Sequence, residues 1–270
     1  EAGETLQSAQ IRAGLQPNAP CGGNGRCGKC KVRLSPDGEE VLGCRTYIEG
    51  DMDVYLPDTM KMKIMESGGK HAEHVHVRPD DRLGVAVDIG TTTVVAHMLD
   101  LKTGKRLATV SDVNAQRRFG ADVISRIQYS MENGHGPLTS LIRSQLAGFI
   151  AGLCKKTGAT RENVHFLSIA GNTVMEHYFA DLSPNGMGVA PFAPESLFGT
   201  VHPAEDDLGM AAGAEVYEAR CVASYVGGDI TAGMLAAGLP EAPGNILFLD
   251  IGTNGEMALG GRDGFVCCAA

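Results

Sequence analysis

Six residues in this chain have the type and spacing to do chemistry: Cys21, Cys27, Cys30 and Cys44 near the start, and Asp88 and Asp250 at the ends of two apolar runs. The thiols follow the pattern C-x5-C-x2-C-x13-C, and the stretch Cys21–Cys30, CGGNGRCGKC, holds three cysteines and four glycines in ten residues. A disulfide framework suits small secreted chains, whereas here four of eight cysteines crowd into the first 44 of 270 residues. That distribution favours a metal or cluster site in a reducing compartment, with the cytoplasm as the expected location. Structural zinc usually draws its thiolates from two short knuckles. A loop that wraps a 2Fe-2S cluster must instead turn tightly and aim N–H groups at sulfur, which Gly22, Gly23, Gly25 and Gly28 permit. The residues point to a 2Fe-2S cluster, with zinc or plain structural thiols as the alternatives.

The two aspartates sit in matched turns. GVAVDIGTTTVVAHMLDL runs from Gly84 as an apolar strand, ends in Asp88, turns through Gly90, Thr91 and Thr92, and resumes as an alternating strand. The design returns 162 residues later in NILFLDIGTNGEMALGG, with Asp250, Gly252, Thr253, Asn254 and Gly255. Glycine admits close approach of a phosphate, successive N–H groups form an anion nest, and threonine hydroxyls add donors. An aspartate at each strand end suits a hydrated Mg2+ or an attacking water. One such turn closes many ordinary hairpins; the pair indicates an internal duplication facing a polyphosphate from two sides, against the plainer reading of two structural hairpins.

The elements that position these turns can be read from periodicity. Leu138, Leu141, Ile142, Leu146, Phe149, Ile150, Leu153 and Cys154 recur at helical spacing in residues 137–157, after Pro137 and before Gly158, which predicts one long helix with Cys154 in the core and not a ligand. VHFLSIA predicts a strand leading to GNTVMEHYF, with Asn172 and Thr173 opening a helix. CVASYVGGDITAGMLAAGL predicts a strand, a glycine pair and a helix at whose start Asp229 either caps the N-terminus or positions a water. From Pro57 to Arg82 the pattern loses periodicity and reads as a connector. His71, His74 and His76 lie in it, explained as well by a solvated linker as by a metal.

The net charge of −9 argues against nucleic acid as the main partner. No apolar run approaches the roughly 20 residues that span a bilayer, so no membrane partner is expected.

CGGNGRCGKC and its flanks resemble the 2Fe-2S ferredoxin-type β-grasp domain, in which GETL (Gly3 to Leu6) would open the helix before the cluster loop. The spacing departs from the plant type, which leaves Cys44 the least secure ligand. DIGTTT and DIGTNGE resemble the two phosphate motifs of the acetate and sugar kinase, Hsp70 and actin superfamily. Their combination resembles the reductive activators of corrinoid proteins, ATP-dependent iron-sulfur enzymes associated with methyltransferases.

The resemblance implies an α+β and α/β chain: a partial ferredoxin-like domain over residues 1–60, its N-terminal hairpin missing, a linker over 61–82, and an actin/Hsp70-like ATPase fold incomplete at its C-terminus. In that fold residues 83–160 would be the middle region with the first phosphate loop, and 161–270 the start of the C-terminal ATPase domain with the second. The cluster would take an electron from a low-potential donor and pass it to a corrinoid protein, returning cobalt from Co(II) to Co(I), with ATP and Mg2+ driving the step. Asp88, Thr91, Thr92, Asp250, Thr253 and Asn254 would surround the phosphates and Mg2+, Gly90, Gly252 and Gly255 would shape the loops, and a homodimer is compatible with this reading. The family's adenosine motif would lie beyond Ala270, so these 270 residues are expected to bind nucleotide weakly or not at all. Two other functions compete: an electron carrier whose actin-like part only docks partners, and an ATP-coupled donor to a different low-potential enzyme.

Overall fold

A computed structural model describes residues 3–13, 15, 17–19, 21–56 and 81–269. Most of the expected linker, with His71, His74 and His76, lies outside the described residues. Among those described, no helix is long and apolar enough to cross a membrane.

The N-terminal segment is small. Helix α1 (Leu6–Arg12) starts at Thr5, whose hydroxyl accepts the Ser8 N–H at 3.1 Å as an N-cap. The cluster loop follows, and then a two-stranded antiparallel ladder of β1 (Lys31–Arg33) and β2 (Glu40–Leu42). Its core is slight: Ala19, Cys30 and Cys44 are buried together, with Leu42 packed against them.

The rest is built on a six-stranded mixed sheet. Strands β3 (Leu83–Ile89), β4 (Thr93–Asp100) and β5 (Arg106–Val113) form an antiparallel meander, joined by β6 (Val164–Gly171), β7 (Val201–Pro203) and β8 (Glu215–Glu218) in the order β5-β4-β3-β6-β8-β7. Pairs β3-β6 and β6-β8 are parallel. A parallel neighbour needs a crossover, and α2 (Val123–Asn133) and α3 (Gly136–Thr157) supply it. The sheet therefore runs through the division expected at residue 160, because β6 pairs directly with β3.

Helix α3 forms where the periodicity placed it. Leu138, Ile142, Leu146, Ile150 and Leu153 make its buried stripe, each contributing about 1.5–3 kcal/mol by leaving water. Gly158 ends it in the left-handed conformation (φ 73°). Cys154 is half-buried against the core. Helix α4 (Thr173–Phe179) is capped by the Asn172 side chain, which accepts the Val174 N–H at 3.1 Å.

The strand expected in CVASYV does not form. That segment makes only a turn closed by the isolated bridge Ala223–Val226, and the sheet strand lies earlier, at β8. The reason is edge geometry: Ala219 N–H completes the ladder on Ile169, after which the chain leaves the sheet to reach α5 (Gly228–Ala236).

Strands β9 (Ile246–Ile251), β10 (Gly255–Gly261) and β11 (Gly264–Ala269) make a separate antiparallel sheet. One face packs Phe248, Ala258, Phe265 and Cys267 against Val226, Ile230 and Met234. The other shows Leu247, Leu249, Ile251, Leu259 and Val266 exposed.

Candidate functional site

The two threonine turns meet. Thr92 Oγ1 lies 2.7 Å from Thr253 Oγ1, and the Asn254 amide donates to Thr91 Oγ1 at 3.4 Å. Residues 161 positions apart in sequence thus close one cleft. Asp88 is the next-to-last residue of β3 and Asp250 the next-to-last residue of β9, each separated from its turn by one isoleucine.

Helix α5 brings a third carboxylate. Its N-cap is Gly227, and Asp229 is the second helical residue, its Oδ1 accepting the Ile230 N–H at 2.8 Å. The capping alternative for Asp229 therefore fails, since the position before the helix belongs to glycine. Glycine is needed there because a Cβ on Gly227 would lie 2.3 Å from the Gly171 carbonyl oxygen. The two loops could not approach with any larger residue.

Glu256 is a fourth carboxylate, missed in the sequence. It faces Asp250 across the β9-β10 ladder and is buried. The signal was present in DIGTNGE, since a residue two past the turn's Asn254 must pair with Asp250 if the turn is a tight hairpin.

These groups repel one another's charge. Asp88 is reached by solvent from the cleft, yet the protein around it, then Asp229 and Asp250, push it up to about 6. Burial and then Asp250 push Asp229 to about 6, and burial with Asp229 and Asp250 pushes Glu256 to about 7. Raised carboxyls clustered in this way mark a place where a cation or a proton would be welcome. Among the described residues no three Cys, His, Asp or Glu side chains gather as a directly ligated single ion requires.

Behind the cleft lies Glu176, fully buried, whose Oε1 accepts the Gly171 N–H at 3.0 Å. Burial, then the charge of Glu218, push it up to about 9, so it is protonated at neutral pH. A folded-state value raised above the ordinary 4.5 means that the folded protein holds a proton the unfolded chain releases. Its contribution to stability is therefore greatest in acid and is lost as pH rises to about 9. Glu176→Gln keeps the acceptor and abolishes the titration. Thermal midpoints measured from acid to alkaline pH should fall less steeply in this variant than in the wild type, and parallel curves would contradict this assignment.

The four thiols converge separately. Cys21 and Cys27 Sγ lie 3.3 Å apart, as do Cys30 and Cys44 Sγ, a separation at which two thiolates can share one metal. Gly22, Gly23, Gly25 and Gly28 all take positive φ, from 62° to 94°, as the loop chemistry required. Burial raises the Cys21 thiol, but N–H groups of Cys27, Arg26 and Gly23 and the Cys27 thiol outweigh it and lower Cys21 to about 6. Cys44 moves the other way, to about 11, from burial and then from the Cys30 sulfur. Without a cation, four crowded sulfurs cannot all be thiolates.

Comparison with known proteins bears on both centres. The family described as the RACo middle region matches residues 83–242. The chain belongs to this family. A corrinoid activation enzyme, RamQ, from Eubacterium limosum is 28% identical, over 93% of this chain and 55% of the relative. A [Co(II) methylated amine-specific corrinoid protein] reductase from Methanosarcina barkeri is 24% identical, over 69% of this chain and 36% of the relative. The solved structure of a reductive activator for corrinoid, iron-sulfur protein superposes on the whole chain and on 60% of its own length, with a TM-score of 0.68 and 28% identity. The RACo-family chain thus spans little more than half the length of RamQ and of that structure.

Proposed function

We propose that the complete protein carrying this chain is an ATP-dependent reductive activator of a corrinoid protein from a methyltransferase system. The observation that carries the reading is the 2.7 Å contact between Thr92 and Thr253, which turns two like motifs into the walls of one cleft. Relatives named for corrinoid activation and for reduction of a Co(II) corrinoid protein supply the reaction class.

The thiols fit an iron-sulfur cluster better than zinc. They pair two and two, and no three donors among the described residues surround a single point. Cys21 and Cys27 would hold one iron, and Cys30 and Cys44 the other. When bound, a 2Fe-2S cluster supplies one electron at low potential, taken from an external donor and delivered to the corrinoid cobalt, Co(II) becoming Co(I). The glycine-rich loop turns its N–H groups of Gly23, Arg26 and Cys27 onto the Cys21 sulfur and so stabilises negative charge there.

The cleft fits a nucleotide triphosphate and Mg2+. Gly90, Thr91 and Thr92 on one side and Gly252, Thr253, Asn254 and Gly255 on the other present hydroxyl and amide donors to phosphate oxygens. Asp88, Asp229 and Asp250 face the hydrated cation, whose charge relieves their repulsion. The strand order from β5 to β8, a meander followed by two parallel strands, supports an actin-like ATPase half. Coupling follows if the nucleotide holds the two turns in contact and its loss lets them part, since β3 and β9 belong to different sheets.

Anaerobic reconstitution of the complete protein should yield a brown species that turns over Co(II) to Co(I) with a reductant only when ATP and Mg2+ are present. A colourless zinc protein would sink the cluster reading, and nucleotide-independent turnover would sink the ATPase reading.

A further inference from the structure

Arg126, on the inner side of α2, is fully buried, yet no ion pair among the described residues includes it. Its guanidinium donates to neutral acceptors only: the Gly120 carbonyl at 2.9 Å, Gln116 Oε1 at 3.3 Å, the Met175 sulfur at 3.0 Å, and the Thr91 carbonyl at 2.5 Å. A buried charge without a counter-ion is among the costliest arrangements a core can hold, and an apolar side chain of similar volume would avoid it. Stability alone gives no reason for a cation here.

The last of those contacts supplies a reason. Three consecutive carbonyls of the first threonine turn are tied down from beneath. Gly90 O accepts from the Asn114 amide at 2.8 Å, Thr91 O from Arg126, and Thr92 O from the Asn114 N–H at 2.9 Å. In a trans peptide the C=O and the following N–H point in opposite directions. Pinning the Gly90 and Thr91 carbonyls inward therefore turns the N–H groups of Thr91 and Thr92 outward, and among the described residues neither donates to a protein acceptor. Two unpaired N–H groups side by side, with a positive charge directly behind them, make a nest for an anion.

We propose that Arg126 is a positioning residue for the terminal phosphates of an oligophosphate bound at this turn, acting through the Thr91 carbonyl and through a guanidinium charge that only the ligand balances. The inference rests on the nucleotide reading above and deepens it, since it names what in this chain makes the turn selective for a multiply charged anion. Met175 ties the device to α4, and Asn114 ties it to the end of β5, so the turn is braced from three elements.

The test uses the complete protein, inorganic tripolyphosphate as the probe, fixed Mg2+ and calorimetry. Arg126→Gln should weaken binding about tenfold or more relative to the wild type, and Arg126→Lys should hold it within about threefold at about pH 6.5. A lowered melting temperature in Arg126→Gln with unchanged affinity would make the residue merely structural and overturn the proposal. Should Arg126→Gln fail to fold, Arg126→Lys decides, because a buried ammonium sheds its proton far below the pH at which a guanidinium does. Its affinity should then fall between about pH 6.5 and about pH 9 relative to the wild type. The other charged and titratable groups that act on it, Tyr178, Arg117 and Asp122, are common to both proteins and cancel in that ratio. Parallel profiles would overturn the proposal. Absence of tripolyphosphate binding by the wild type would overturn the nucleotide reading and this inference together, whereas wild-type binding that Arg126→Gln leaves intact would overturn this inference alone.

Discussion

Asp88→Asn in the complete protein is expected to lower nucleotide-driven reduction of the corrinoid by about 10²- to 10³-fold, the usual cost of removing a group that organises charge at a phosphoryl centre. The same variant should fold at least as well as the wild type, and the reason lies in the sign of its titration. Protein surroundings, then Asp229 and Asp250, raise the Asp88 carboxyl from 3.8 to about 6. The folded state therefore holds a proton that the unfolded chain releases, and the wild type loses stability as pH rises through that interval. Asparagine cannot ionise, so this loss disappears. Above about pH 6 the variant should melt no lower than the wild type, and its cluster absorbance should be unchanged, because Asp88 belongs to the cleft and not to the cysteine loop. Reduced activity with preserved folding places Asp88 in the working cleft. Undiminished ATP dependence would instead favour an electron carrier whose second half only docks partners.

Cys30→Ser should remove the cluster almost completely, leaving less than about a tenth of the wild-type iron per chain after anaerobic reconstitution. Cys30 is 4% exposed and sits 3.3 Å from Cys44, so a serine there offers a poor ligand in a place water barely reaches. The effect should extend to folding. Among the described residues before 57, only Leu6, Ala19, Cys30, Val32 and Cys44 are buried apolar groups or thiols, too few to stabilise a segment that size without a staple. Limited proteolysis of the variant should therefore cut within residues 3–56 while the six-stranded sheet beginning at Leu83 stays intact. Wild-type iron content and an unchanged digest would show that the thiols are structural.

Much of this was legible in the order of residues. Local chemistry is written locally: glycines beside thiols, an aspartate before a Gly-Thr turn, and leucines and isoleucines at helical spacing in α3 all announce themselves within a few positions. The failures have equally local causes. CVASYV has strand-like residues, but whether they pair depends on an edge that β8 had already occupied. The sequence leaves Asp229 between a cap and a water-positioning group, and only the backbone shows that Gly227 takes the cap position.

The residues that brace the cleft were not legible. Arg126 lies on an amphipathic helix where an arginine ordinarily faces solvent, and Glu176 follows the cap of α4 as many exposed glutamates do. What makes them special is burial against segments 35 and 5 residues away, Thr91 for Arg126 and Gly171 for Glu176, and with the former the absence of an ion-pair partner among the described residues. The chain's composition and motifs specified which ligands its loops suit, because hydrogen-bonding capacity and backbone freedom belong to residue type. Folding alone specified that the two threonine turns touch, that burial and neighbouring carboxylates raise the proton affinity of Asp88, Asp229 and Glu256, and that a cation lies behind the first turn. Those properties depend on distance and on exclusion of water, and neither exists until the chain has packed.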